Sequence, residues 1–101
     1  MWKKDGKYHR DGGPARIWQD GTEEWFQYGR YHREDGPAII QGNYQAWFQD
    51  GMLHRIDGPA IINSEGNLFW YIDGVEYQNG ILWRLEVQKW KREQKEKEEN
   101  I

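Results

Sequence analysis

The sequence predicts a mainly β protein: an antiparallel β-meander of about 3.5 repeats of 22–23 residues, two strands each, with a C-terminal capping α-helix. Three observations predict it. The phrase His9-Arg10-Asp11-Gly12-Gly13-Pro14-Ala15 returns as His32-Arg33-Glu34-Asp35-Gly36-Pro37-Ala38 and as His54-Arg55-Ile56-Asp57-Gly58-Pro59-Ala60, its histidines 23 and then 22 residues apart. Four tryptophans, Trp2, Trp25, Trp47 and Trp70, share that frame, each four residues before a glycine. After Gly80 there is no further glycine or proline, and the pattern changes period. Residues 1–80 are therefore the repeat domain, and 81–101 a helix packed on the last repeat with a charged tail.

Each repeat reads as two short strands. One carries the tryptophan: Glu24 to Gln27, Ala46 to Gln49, Phe69 to Ile72. The other follows the proline: Ala15 to Trp18, Ala38 to Ile40, Ala60 to Ile62. Asp-Gly occurs seven times, at Asp5, Asp11, Asp20, Asp35, Asp50, Asp57 and Asp73, and suits turns with positive φ. Seven or eight strands are expected in all. From His to Pro the chain should form an irregular bend, because the residue before proline avoids helix and proline lacks a donor. Changing Gly36 or Gly58 to a β-branched residue should then strain a turn. In the last segment Trp83, Val87 and Trp90 fall at i, i+4 and i+7, which predicts a helix over about 81–97 with Asn79 as its N-cap. Its apolar face should cover the last sheet edge, as repeat arrays require.

The composition limits what this fold can be. Hydrophobic residues make up 37% and aromatics 16%, so burial is expected to come mainly from Trp, Tyr and Phe. Cysteine is absent, which removes disulfides and Cys-based zinc. No apolar run is long enough for a membrane helix, and Met1 to Gly6 lacks the apolar stretch of a signal peptide. The expected location is cytoplasmic. Up to Trp83 there are 8 basic and 12 acidic residues, net −4; from Arg84 onward 6 basic and 5 acidic, net +1. Neither part is the basic surface on which nucleic-acid affinity rests.

The unit Trp-Phe-x-x-Gly-x-x-His-Arg-x-Asp-Gly-Pro-Ala-Ile-Ile resembles the repeat of a group of small proteins encoded by tailed bacteriophages, and is distantly similar to MORN repeats. The resemblance covers about residues 2–80 and implies β-hairpin units ending in a short helix. It implies little about activity. The first copy departs from it at Gly12, where the others have Asp35 and Asp57, and the last has Tyr77-Gln78 in place of His-Arg.

Histidines repeated at equal positions lie two strands apart, about 9.5 Å, too far to share one ion. His9, His32 and His54 are better read as stacking over the bend and bonding to an Asp or a backbone carbonyl. No metal and no cofactor is expected. The lone serine, Ser64, sits in a turn, and most carboxylates belong to Asp-Gly turns, so no enzyme is expected. Arg33 and Arg55, with His32 and His54, are candidate binding residues along the bend edge. Alternation along Trp25-Phe26-Gln27-Tyr28 puts Phe26 and Tyr28 on one face; with Phe48 and Tyr71 they form a candidate aromatic surface.

Three functions compete. The first is a non-enzymatic module that binds a protein; the phage resemblance implies a host protein, with inhibition of a host defence system such as an anti-CRISPR role. The second is a nucleotide or RNA binder using the Arg/His edge, against which the charge speaks. The third is a self-assembling structural protein, such as a homodimer through the open first strand or the helices.

Overall fold

The computed structural model describes residues 1–99. Strands β1 (Lys3–Lys4) and β2 (Lys7–Tyr8) form a first hairpin, and β3 (Arg16–Ile17) pairs with β4 (Glu23–Glu24). A second hairpin, β5 (Phe26–Gln27) and β6 (Arg30–Tyr31), leads to the pair β7 (Ile39–Gln41) and β8 (Tyr44–Ala46). A third, β9 (Phe48–Gln49) and β10 (Met52–Leu53), leads to β11 (Ile61–Ile62), then β12 (Leu68–Ile72) and β13 (Val75–Tyr77). The helix α1 (Gly80–Glu99) follows. One seven-stranded antiparallel sheet, in the order β13-β12-β11-β8-β7-β4-β3, runs beside the row of hairpins.

The strands are shorter and more numerous than the expected seven or eight, because the tryptophan strand breaks at its tryptophan. Trp25 N–H donates to Ala38 O at 2.7 Å, while Trp25 O accepts from His32 N at 3.0 Å. The residue thus bonds into the long sheet on one side and into its hairpin on the other. Trp2 and Trp47 do the same. Only β12 passes its tryptophan, Trp70, without interruption.

Hairpin tips carry two consecutive residues with positive φ: Asp5 and Gly6 (52° and 78°), Tyr28 and Gly29 (49° and 82°), Asp50 and Gly51 (48° and 83°), Asp73 and Gly74 (48° and 80°). That is the type I′ turn, whose twist matches paired strands. Tyr28 therefore sits in a turn, not in the strand, and the alternation that placed it beside Phe26 ends at Gln27.

The molecule is thin, 40 × 40 × 17 Å, with a radius of gyration of 14.9 Å; a compact chain of this length would have about 13 Å. A plate has little interior. Its fully buried positions are small: Ala15, Ala38, Ala46 and Ala60 are each 0% exposed, and no large side chain falls below 2% among the described residues. The large aromatics of the core, Phe26 and Trp83, are buried but not wholly enclosed. The alanine after each Pro is buried where adjacent strands meet, and Ala15, Ala38 and Ala60 donate to Glu24 O, Ala46 O and Phe69 O.

Asn79 caps α1, its Oδ1 accepting from the N–H groups of Ile81 (3.0 Å) and Leu82 (2.9 Å). Trp83 and Val87 are buried with Ile72, and Trp90 packs beside them against the last repeat. At the opposite end of the array the first hairpin carries the exposed Lys3 and Lys4 on β1, charges that discourage edge-to-edge pairing.

Candidate functional site

The repeated phrase forms one bend per copy, and its parts have fixed uses. The guanidinium carbons of Arg10, Arg33 and Arg55 lie 3.8, 3.7 and 3.9 Å from the ring centroids of Trp2, Trp25 and Trp47. Each guanidinium donates through Nη1 to the proline carbonyl of its own bend, Pro14, Pro37 or Pro59, at 3.1–3.2 Å. Nε of Arg33 donates to Asp35 (3.0 Å) and Nε of Arg55 to Asp57 (2.7 Å). Arg10 has no such pair, since Gly12 replaces the aspartate.

The glycine before Pro completes the stack. A Cβ at Gly36 would come within 2.8 Å of Arg33 Cζ, and one at Gly58 within 2.7 Å of Arg55 Cζ. Neither glycine has positive φ. The expected strain at a turn is thus corrected: glycine is required there by the close approach of the arginine, not by backbone conformation.

The histidines bond differently from expectation. His9, His32 and His54 each accept through Nδ1 from a backbone N–H of the next hairpin tip: Tyr28 at 3.1 Å, Asp50 at 3.0 Å, Asp73 at 3.0 Å. The partner is a backbone donor one repeat away, not an Asp side chain or a carbonyl. An accepting Nδ1 places the ring proton on Nε2, so the Asp50 and Asp73 carboxylates near Nδ1 (3.4 and 3.1 Å) are neighbours, not partners. Nε2 of His9 approaches Asp11 Oδ1 at 3.2 Å without hydrogen-bond geometry. The bends are further joined to the next hairpin by Arg10 N, Arg33 N and Arg55 N donating to Phe26 O, Phe48 O and Tyr71 O.

In the fourth frame the arginine is missing and α1 replaces it. Trp83 stands 4.8 Å from Trp70, centroid to centroid, and its Nε1 donates to Arg55 O at 3.0 Å. The helix reads the last bend as a further repeat would.

Of the aromatic candidates, Phe26 and Phe48 belong to a continuous row on the other face: Tyr8, Phe26, Tyr31 and Phe48, with centroids 5.3, 4.5 and 5.0 Å apart. Phe26 is only 7% exposed. Tyr71 lies on β12 opposite Glu76, and burial, then Glu76, raises its phenol pKa. Beside this row the first repeat carries a polar group with no counterpart in the others. Glu24, buried, accepts from Trp18 Nε1 and from Tyr31 Oη, and faces Arg16 Nε at 3.4 Å. Burial and then Glu24 push the Tyr31 phenol up to about 12. The same frame positions hold Ile39 and Ile61 for Arg16, and Ala46 and Phe69 for Glu24.

Between successive bends lie two adjoining grooves of about 770 and 470 Å³ that share Arg33, Glu34 and Asp35. Their lining includes Trp25, Trp47, Pro37, Ile56 and Trp90. Five carboxylates line them (Asp11, Glu34, Asp35, Asp57 and Asp73) against two guanidiniums, Arg33 and Arg55, an excess of three negative charges. His32, Arg33, His54 and Arg55 thus come together in this trough; Phe26, Phe48, Tyr28 and Tyr71 do not line it. The sequence reading missed the carboxylate rim and Trp90. The rim shows only once the bends stack, and Trp90 only once α1 is docked.

Among the described residues no cluster of three or more His, Asp or Glu is placed to hold a metal ion, and no helix is long and apolar enough to cross a membrane. No protein-family model matches the chain, and neither curated proteins nor solved structures give a match.

Proposed function

We propose that the protein is a non-enzymatic interaction module that binds another protein through the bend-face trough, taking a basic segment of its partner. The excess of carboxylates over guanidiniums around a lining of Trp47, Pro37 and Trp90 carries this reading. A lysine or arginine of the partner can lay its methylene stem over tryptophan and proline and bring its charge to Glu34, Asp57 or Asp73. Tryptophan in a partly covered pocket is also a frequent source of binding energy.

The nucleotide reading draws less support. The guanidiniums of Arg33 and Arg55 are already stacked on tryptophan and bonded to aspartate and to a proline carbonyl. The rim would repel phosphate. If the resemblance to phage repeats reflects origin, the partner is a bacterial host protein and the role is inhibition of a host defence, carried here by analogy alone.

A titration with a labelled lysine-rich peptide, followed by tryptophan fluorescence at low salt, tests the reading. Binding should weaken with salt and be lost in Glu34→Lys with Asp57→Lys. A flat titration, or equal binding by the charge-reversed variant, would sink it.

A further inference from the structure

The internal repeat supplies its own comparison. Three of the four hairpin tips place aspartate at the first turn position, where φ is +48 to +52°, and the second places Tyr28 there, at +49°. Aspartate tolerates the left-handed region through local hydrogen bonding; a bulky aromatic does so only under strain. Tyr28 is also 57% exposed, so burial does not explain it. Its N–H makes the same bond to histidine Nδ1 that Asp50 and Asp73 make, so that backbone bond does not call for an aromatic residue; the ring itself rests on His9 at 4.4 Å, centroid to centroid.

A second cost sits at the same corner. Lys4 and Lys7 are direct cross-strand partners, a like-charge pairing that weakens a hairpin. The Lys7 side chain runs under Gly29, where a Cβ would meet its Cβ at 3.5 Å, while the Arg30 side chain runs on under Gly51 of the third hairpin. Lys4 Nζ stands 5.6 Å from the Tyr28 ring centroid. Among the described residues neither Lys4 nor Lys7 has a carboxylate within 4.0 Å. Strain and uncompensated charge thus fall on one exposed corner of an otherwise acidic plate.

We propose that Lys4 and Lys7, beside Tyr28 at the tips of the first two hairpins, form a contact surface for an acidic patch on a protein partner. Tyrosine is enriched among the residues that carry binding energy at protein interfaces. A protein patch fits better than a nucleic acid. The Tyr28 ring already has His9 against it at 4.4 Å, and Lys4 nearby, which competes with base stacking. Asp5 and the exposed Asp11 flank the corner, so a compact anionic patch fits where a longer phosphate chain meets repulsion. The surface is separate from the trough, and each can fail without the other.

The test uses the full chain and three probes at low salt: a labelled peptide of glutamate and glycine, a single-stranded oligonucleotide of equal charge, and inorganic pyrophosphate. The acidic peptide should bind most tightly. Lys4→Glu with Lys7→Glu should weaken it by about tenfold or more. Tyr28→Asp, which restores the residue of the other three tips, should weaken it as well while raising the melting temperature by about 4 °C. Melting curves on every variant keep loss of binding apart from loss of fold. The proposal is overturned by no peptide binding at low salt, by tighter binding of the oligonucleotide or of pyrophosphate, or by a Tyr28→Asp variant that binds as well as the parent or melts no higher.

Discussion

Arg33 lies between Trp25 and Gly36: its guanidinium carbon is 3.7 Å from the Trp25 ring centroid, and a Cβ on Gly36 would come within 2.8 Å of it. Three residues far apart in kind (an aromatic, a cation and a glycine) are thus one structural unit. It is made three times, with Arg10 and Arg55 in the other two copies. The histidine of the same phrase reaches forward to the next hairpin, so each bend closes its own repeat and docks the following one.

Gly36→Ala should destabilise the protein by about 1–3 kcal/mol, because the new methyl must displace a guanidinium pinned by Trp25, Pro37 and Asp35. The same change in an Arg33→Ala background should cost clearly less. Urea unfolding of the four proteins of this cycle measures the coupling. Additive effects would mean that glycine is needed there for another reason.

Trp83→Ala should remove about 3–5 kcal/mol. It strips the cover from Trp70 and the bond to Arg55 O, and α1 loses its anchor. Far-ultraviolet circular dichroism should show helix melting before the sheet. A single unchanged transition would show that α1 does not depend on Trp83.

The Arg16–Glu24 pair stands where the other copies are apolar. Arg16→Ile alone should destabilise, because Glu24 stays buried with only neutral donors from Trp18 and Tyr31. Arg16→Ile with Glu24→Ala restores the residues of the second repeat and should recover most of the loss. Thermal melts of both variants decide it; a double variant less stable than the single one would contradict the expectation.

Alkaline pH should weaken the fold through Tyr31. Its folded pKa is raised to about 12, so the folded state holds this proton more tightly than the unfolded chain. The contribution is complete below the ordinary tyrosine value of about 10, and it is lost as pH rises from there through about 12. Urea midpoints should fall across that window. Tyr31→Phe should reduce the fall without abolishing it, since Tyr71 and Tyr77 are also raised, chiefly by burial. An identical slope in both proteins would remove Tyr31 from the account.

The repeat period, the hairpins and the capping helix were legible in the sequence because each rests on local chemistry. Asp-Gly tips at Asp5, Asp50 and Asp73 require positive φ, the residue before proline avoids helix, and Trp83, Val87 and Trp90 follow helical spacing. These are properties of neighbours along the chain. The candidate site was legible in part: His32, Arg33, His54 and Arg55 were named and do meet. The reason they meet was not legible, since their partners lie on other elements.

What the sequence by itself determined, then, is the number and kind of units, set by backbone preferences that act within a few residues. The tertiary structure alone decided how the units contact one another. Stacking the bends set the carboxylates of one beside the tryptophan of the next, turned histidine into an acceptor for a donor one repeat away, and left alanine as the side chain that fits where strands of a thin plate meet. Those outcomes depend on distances between residues about 20 apart in the chain, and no local preference encodes them.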